Sequence, residues 1–161
     1  MNFNLIKKIG LVVCSLLLLG GVVKAEVNPK PFVVPELKTW TGAEGKFVPS
    51  GRVAVKGGSK ELMRIAQVFA EDYQLLTGKK LVVVKGSGKK GDFLLTLNKK
   101  DASLGAEGYK MEISEKAVIT ATTEQGAFWG TRTLLQLSEQ NEQLPMGTSV
   151  DVPEYALRGF M

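Results

Sequence analysis

The chain has 161 residues, with 21 basic and 16 acidic side chains, one cysteine and no histidine. Without histidine it cannot form a Ser-His-Asp triad, a Cys-His pair or an H-E-x-x-H zinc site, and its lone Cys14 excludes a disulfide within the chain. Any catalytic chemistry would have to use carboxylates, lysines, tyrosines or hydroxyls. We expect no cofactor and no metal ion.

Residues 1–25 have the pattern of a cleaved signal peptide. Lys7 and Lys8 precede an apolar run at 11–22, and Ala25 supplies the small residue before the cut. The run is shorter than the roughly 20 residues that a membrane span needs. Lipid attachment at Cys14 is disfavoured because Val13 precedes it. We therefore predict cleavage after Ala25, a periplasmic or secreted protein, and no membrane association after cleavage.

Removal of this segment takes away three lysines and no acid, which leaves 18 basic against 16 acidic residues. A balance so close to neutral gives no indication of a nucleic-acid partner. Lysine pairs recur at 79–80, 89–90 and 99–100, each beside the end of a predicted strand. A basic edge for an anionic glycan or nucleic acid is one interpretation. A solvated strand edge is the other, and it is favoured because no aromatic residues are interspersed.

The first half predicts short strands and one helix. Three prolines make residues 29–35 extended, with an edge strand at 32–34, and a second strand follows at 52–55. Ser59 can cap a helix from 60 to about 77, whose apolar residues recur with helical spacing and which Gly78 ends.

Four strands are predicted next, at 81–85, 92–98, 109–114 and 117–122. Because no helix intervenes, they indicate an antiparallel sheet. The G-S-G-K-K-G stretch at 86–91 has the spacing of a dinucleotide motif, but a strand follows it where that motif needs a helix. We interpret it as a hairpin connection.

A second helix begins at Thr122 or Thr123, with Thr122 and Gln125 fitting a capping box. Gly126 and Gly130 lie off its inner stripe and cost about 1 kcal/mol each in a helix, while Trp129 points nearly opposite that stripe. These features suggest a helix covered on two sides. A polar loop at 141–148 follows. The predicted fold is α+β, an antiparallel sheet of four or more strands with two helices on one face.

The candidate functional side chains have structural alternatives. Glu71 and Asp72 diverge on the first helix, and Glu112 with Glu115 is the other close carboxylate pair, so solvated surface is favoured over a glycosidase pair. Trp40 and Trp129 could stack on sugars, although packing in a core or interface is favoured.

Four motifs resemble one family of enzymes. They are L-G-A-E-G-Y at 104–109, G-A-F-W-G-T-R-T-L-L-Q-L at 126–137, V-D-V-P at 150–153 and R-G-F-M at 158–161. Together they resemble the non-catalytic N-terminal domain of the family 20 glycoside hydrolases, the β-N-acetylhexosaminidases, in which a TIM barrel follows. After the predicted signal peptide at 1–25, the resemblance implies the α+β domain at 26–155 and the start of the first barrel strand at 156–161.

The resemblance also implies roles for residues and partners. Arg158 matches an arginine that binds the hydroxyls of the terminal sugar, and no residue of this chain matches the catalytic Asp-Glu pair. The chain stops before the aspartate that follows this motif in the family, so we expect a truncated chain that is inactive alone. Its partners would be a catalytic barrel, packed against the helix that contains Trp129, and N-acetylhexosaminide glycans of the full enzyme. The alternative is a stand-alone envelope module that binds glycans or proteins.

Overall fold

A computed structural model describes residues 26–153; the predicted signal peptide, the predicted barrel start at 156–161 and Arg158 lie outside the described residues. In chain order the elements are β1 (Thr41–Phe47), β2 (Arg52–Lys56), α1 (Lys60–Thr77), β3 (Val82–Lys85), β4 (Phe93–Leu97), a short 3₁₀ turn (Ala102–Leu104), β5 (Tyr109–Ile113), β6 (Ala117–Ala121), α2 (Glu124–Gln140) and β7 (Leu144–Asp151).

Within the described residues, the strands form one seven-stranded mixed sheet in the order β1-β7-β5-β6-β4-β2-β3. β2 pairs in parallel with both β3 and β4, and β4 pairs in parallel with β6. The predicted antiparallel sheet is therefore wrong for this half, whereas β5 pairs antiparallel with β6 and β7, and β7 with β1. Strand direction depends on how a connection crosses the sheet, and the residues within a strand do not encode it.

The connection from residue 86 to 92 shows why the prediction failed. β3 and β4 lie on opposite sides of β2 and run the same way, so this segment returns along the sheet and does not form a hairpin. Gly88 passes so near Ala54 that a Cβ built on the glycine would lie 3.5 Å from the alanine Cβ. The segment thus covers the face of β2 that points away from the helices.

Helix α1 is confirmed with its predicted caps. The Ser59 side chain accepts a hydrogen bond from the backbone N–H of Leu62, and Gly78 has the left-handed conformation (φ 72°) that ends the helix. Its buried stripe is the one that the spacing predicts, namely Leu62, Ile65, Ala66, Phe69, Ala70 and Tyr73.

Helix α2 begins one residue later than its capping box implied. Thr123 is the cap, and its hydroxyl accepts a hydrogen bond from the N–H of Gly126. The Thr122 hydroxyl instead donates to the carbonyl of Asp101 at 2.7 Å and ties the turn after β4 to the start of the helix.

Two further predictions need correction. The segment 141–148 is not a loop, because β7 starts at Leu144 and pairs with β1 and β5. Conversely, residues 32–34 form no strand; the backbone of Val34 bonds to the side chain of Gln136 on α2.

Both helices pack on one face of the sheet and against each other, as predicted, and their inner stripes join the sheet in one apolar core. An aromatic cluster packs around Phe93, the first residue of β4. The Phe93 ring contacts the rings of Phe47, Phe69 and Tyr73 edge to face, with centroids 5.2–5.6 Å apart.

Candidate functional site

The sequence-predicted carboxylates do not converge on a pocket. Asp72 forms an ion pair with Arg132, Glu112 lies 3.8 Å from Lys110, and Glu115 lies 3.1 Å from Lys90. Within residues 26–153 no three acidic, histidine or cysteine side chains cluster as metal ligands. Among residues 26–153, these carboxylates therefore pair with basic side chains and do not face one another as in the two-carboxylate scheme of glycoside hydrolysis.

A cleft of about 250 Å³ opens between the C-terminal ends of the two helices, and Glu139 and Glu142 line it. The Glu142 side chain is 84% exposed and forms a 3.0 Å ion pair with Lys79. A carboxylate so well solvated and paired with a lysine is typical of a surface ion pair.

Asp92 is the one acidic side chain of the described region with no solvent exposure. Its carboxylate accepts two hydrogen bonds from Arg52, at 3.0 and 2.8 Å, one from Ser50 and one from the N–H of Lys89. Burial alone would raise the pKa of this carboxyl, but these hydrogen bonds outweigh it and lower the pKa. With every oxygen engaged, Asp92 fastens the 86–92 segment to β2.

Tyr109 has a second structural role. Its hydroxyl lies 2.6 Å from the Thr133 hydroxyl of α2 and donates to the Asp151 carboxylate of β7 at 3.2 Å. Burial raises the pKa of the Tyr109 hydroxyl, with the charge of Asp151 acting in the same direction. The phenol therefore stays neutral and links β5, α2 and β7.

Trp40 is also structural. Its indole packs over Gly147, where any side chain would overlap the ring, and its N–H donates to the Asn28 carbonyl at 3.2 Å. Asn28 in turn donates to three backbone carbonyls of β1 and β7. The indole is thus held against β7 by the segment before β1, and the part of the ring that meets Gly147 is not open for a sugar.

The glycines of α2 face the sheet and not a second partner. A Cβ on Gly126 would overlap the carbonyl oxygen of Gly108, and one on Gly130 would lie 2.5 Å from Ile119. Glycine destabilises a helix, and here the close packing that compensates for it is made inside the domain. The prediction that the glycines mark a second covered side of the helix is therefore wrong.

The opposite side of α2 carries Trp129, which is 38% exposed. Its ring meets Phe128 edge to face at 5.3 Å, and the Arg132 guanidinium stacks over Phe128 at 4.6 Å. Arg132 also bridges to Asp72 of α1. A partly exposed aromatic side chain on a helix, packed against a second ring that a guanidinium covers, is typical of a protein contact.

Other apolar side chains on the helix side of the domain are also exposed. Phe32 and Val34 are 73% and 65% exposed, and their backbones are fixed to α2 because Gln140 donates to the Phe32 carbonyl and Gln136 bonds both backbone groups of Val34. On α1, Leu75 is 83% exposed. We call this set the outer helix face, and its members are Phe32, Val34, Leu75, Phe128, Trp129 and Arg132. The sequence revealed Trp129 but not the contribution of Phe32 and Val34, which depends on their attachment to α2.

No helix in the described part of the chain has the length and apolar character needed to span a bilayer.

Comparison with known proteins assigns the fold. The model of glycosyl hydrolase family 20, domain 2, matches residues 30–152. No curated protein matches the chain.

Solved structures agree with the family match. The GH20 β-N-acetylhexosaminidase of Streptomyces coelicolor A3(2) superposes with a TM-score of 0.66 and 26% identity over 82% of this chain. The N-acetyl-β-hexosaminidase of Streptomyces plicatus gives 0.65 and 25% over 83%. An exo-β-N-acetylglucosaminidase of Vibrio harveyi, at 0.62 and 18% over 82%, supports the fold alone. The matched part is 28% of each Streptomyces chain and 20% of the Vibrio chain.

Proposed function

The chain belongs to glycosyl hydrolase family 20 through its domain 2, and from this premise we propose that it is the accessory domain of a secreted β-N-acetylhexosaminidase. In this role it braces a catalytic barrel and does no chemistry itself. The glycans would be those that contain N-acetylhexosamine, because the two Streptomyces relatives are named as β-N-acetylhexosaminidases.

The observation that carries the proposal is the outer helix face. Trp129, Phe32 and Leu75 expose apolar area on the helix side of the domain, while the opposite side of α2 is sealed against the sheet. Exposed aromatic and aliphatic groups on fixed backbone favour a docked partner, since water solvates them poorly. A catalytic barrel is the partner that family membership implies, with Trp129 near the centre of the contact.

The absence of a reactive pair supports the accessory role. Every carboxylate pair that the sequence offered is neutralised by a cation or exposed in the described region. We therefore expect no turnover of a chromogenic N-acetylglucosaminide by this chain alone. Arg158 would bind sugar hydroxyls only once a barrel completes the site around it, as its guanidinium is suited to do.

The location remains a proposal from the leader sequence. Cleavage after Ala25 would deliver the domain to the periplasm or the medium, where glycan substrates of such enzymes occur. N-terminal sequencing of the protein recovered outside the cytoplasm, beginning at Glu26, would support this; recovery of the intact leader from the cytoplasm would contradict it.

Docking is tested with family 20 barrels that are each expressed without their own domain 2. We expect the wild-type chain to bind at least one of them, and Trp129→Asp to weaken that binding by at least about 30-fold, the scale of an interface hot spot. Val82→Asp is the matched control, because Val82 is exposed on the far edge strand. Failure of every barrel to bind, or equal losses in the two variants, would contradict the proposal.

A further inference from the structure

Five lysines gather at one edge of the sheet, the edge formed by the carboxyl ends of its parallel strands. Lys56 ends β2 and Lys85 ends β3, and because Lys85 pairs with Val55 the two lysines lie on adjacent strand ends, roughly 5 Å apart at the backbone. Lys60 begins α1, four residues after Lys56.

Lys99 and Lys100 complete the group from the next strand. They follow β4, and the N–H of Asn98 bonds to the carbonyl of Ala121 at the end of β6. Lys99 is near enough to Glu124 to contribute to the lowered pKa of that carboxyl, after the larger effects of the hydrogen bonds from Ser59 and from the Glu124 backbone. We call Lys56, Lys60, Lys85, Lys99 and Lys100 the lysine edge; within residues 26–153 none of them forms an ion pair.

The lysine edge is electrostatically unfavourable for the domain alone. Both helices start at this edge, so the positive ends of their dipoles point toward the lysines, and Lys60 occupies the first position of α1. The acids nearby offset this charge only in part, because Glu61 pairs with Arg64 and Glu124 is the acid whose charge interacts with Lys99. Accumulated cations that oppose stability are the usual mark of a surface kept for an anionic partner.

This set differs from the one that the sequence periodicity suggested. Lys79 and Lys80 precede β3, and Lys89 and Lys90 precede β4, so these two pairs lie at the opposite, amino ends of the parallel strands. There Lys79 and Lys90 are paired with Glu142 and Glu115. The ten-residue repeat therefore does not produce one basic surface, whereas the strand ends do.

We propose that the lysine edge binds a linear anionic polysaccharide, one whose sulfate or carboxylate groups recur along the chain. The lysines follow the sheet edge across the ends of β3, β2 and β4, a span of roughly 10 Å at the spacing of neighbouring strands. A row of positive charges matches the recurring negative charges of a linear polyanion. Lysine also supplies point charges without the rigid geometry that would select one sugar.

Other polyanions fit less well. The exposed large apolar side chains on the elements that carry these lysines are Val82 at the start of β3 and Leu75 and Leu76 at the end of α1. All three lie at the ends away from the lysines, so a lipid surface would find nothing to insert beside them. No aromatic ring borders the row on these segments, as base stacking on a nucleic acid would require. The proposal goes beyond barrel docking and does not depend on it, since the outer helix face uses different residues.

The test measures heparin binding by the full chain, expressed with residues 1–25 in place for processing by the host. A triple variant, Lys60→Gln/Lys85→Gln/Lys99→Gln, should bind about tenfold more weakly at 0.1 M salt and lower the slope of log K against log salt by about two to three. A matched triple, Lys46→Gln/Lys80→Gln/Lys110→Gln, carries the same charge change away from the edge and should bind within about twofold of wild type.

A second readout keeps the result interpretable. The edge variant should unfold at an equal or higher urea concentration than wild type, because the lysines oppose the helix dipoles. Equal heparin loss in the two triples, or a lowered urea midpoint in the edge variant, would overturn the proposal. Tighter binding to a DNA duplex or to anionic vesicles than to heparin would overturn the assignment to a polysaccharide.

Discussion

The two sides of helix α2 differ in how closely they are packed and in how much they contact solvent. Its sheet side is closed so tightly that Gly126 and Gly130 leave no room for a methyl group, and Thr133 there bonds to the buried Tyr109 hydroxyl. Its outer side leaves Trp129 partly in solvent and fixes Phe32 and Val34 beside it. Residues of the first kind hold the fold together, and residues of the second kind form the docking surface that we propose. Mutations can separate these two roles.

The largest effect on stability should come from the interior ion pair. Asp92→Asn removes the charge that Arg52 faces and should lower the free energy of unfolding at pH 7 by roughly 3 kcal/mol, as for broken buried pairs. Urea denaturation measures it. Glu61→Gln is the control, because its pair with Arg64 is exposed and should leave the midpoint unchanged. Equal effects would contradict the structural role of Asp92.

The same carboxyl predicts a pH dependence. Its pKa is lower in the folded than in the unfolded protein, so its stabilisation is complete above the unfolded value of about 4 and is lost as the pH falls through the folded value. Wild type should therefore lose part of its advantage over Asp92→Asn in urea melts below pH 4. A constant difference from pH 7 to pH 2 would contradict this.

The next largest effect should be at the glycine contact. Helix propensity alone would make Gly126→Ala more stable by about 1 kcal/mol, but the new methyl would meet the backbone oxygen of Gly108, which cannot rotate away. We expect a net loss of about 2 kcal/mol. Gln67→Gly at an exposed site of α1 measures propensity alone. A neutral or stabilising Gly126→Ala would show that the sheet side is not closed.

A smaller effect is expected at Tyr109. Tyr109→Phe keeps the ring and removes the hydroxyl that links Thr133 and Asp151, which should cost about 1 kcal/mol in urea denaturation. Thr133→Val should cost a similar amount, and the double variant less than the sum, because both remove one shared hydrogen bond. Strict additivity would show that the two hydroxyls act independently.

The smallest effect on stability should be at the outer side. Trp129→Ala should change the free energy of unfolding of the isolated domain by less than about 1 kcal/mol, since the indole already contacts water. A loss of 3 kcal/mol or more, the scale of a buried tryptophan, would mean that Trp129 belongs to the interior and is not part of a docking surface.

Local signals in the sequence predicted much of this fold. Ser59, Gly78 and the apolar stripe between them determined α1, and the alternation of Tyr109, Met111 and Ile113 determined β5. Such patterns act within one element, where hydrogen bonding and burial follow fixed periods. The sequence could not decide whether Thr122 or Thr123 caps α2. The Thr122 hydroxyl is bonded to the carbonyl of Asp101, and this contact with a distant turn is not visible in a local pattern.

The predictions failed where contacts between distant segments of the chain determine the structure. β7 contains Pro145, Gly147 and Thr148, which fit a polar loop, yet pairing on both edges makes it a strand between β1 and β5. Parallel pairing around β2 could not be read from the valines and leucines of its neighbours. For the site, Trp129 was visible from its position on the helical wheel, whereas the lysine edge depends on which strand ends share an edge.

The central claim, that the outer helix face is covered by a catalytic barrel, is tested most directly by ¹⁹F NMR. The chain labelled with 5-fluorotryptophan gives two resonances, from Trp40 and Trp129, which Trp129→Phe assigns. When an unlabelled family 20 barrel is added, we expect the Trp129 resonance to shift and lose its sensitivity to D₂O while the Trp40 resonance stays in place. A barrel that binds the chain and leaves the Trp129 resonance unchanged and solvent-sensitive would contradict the account.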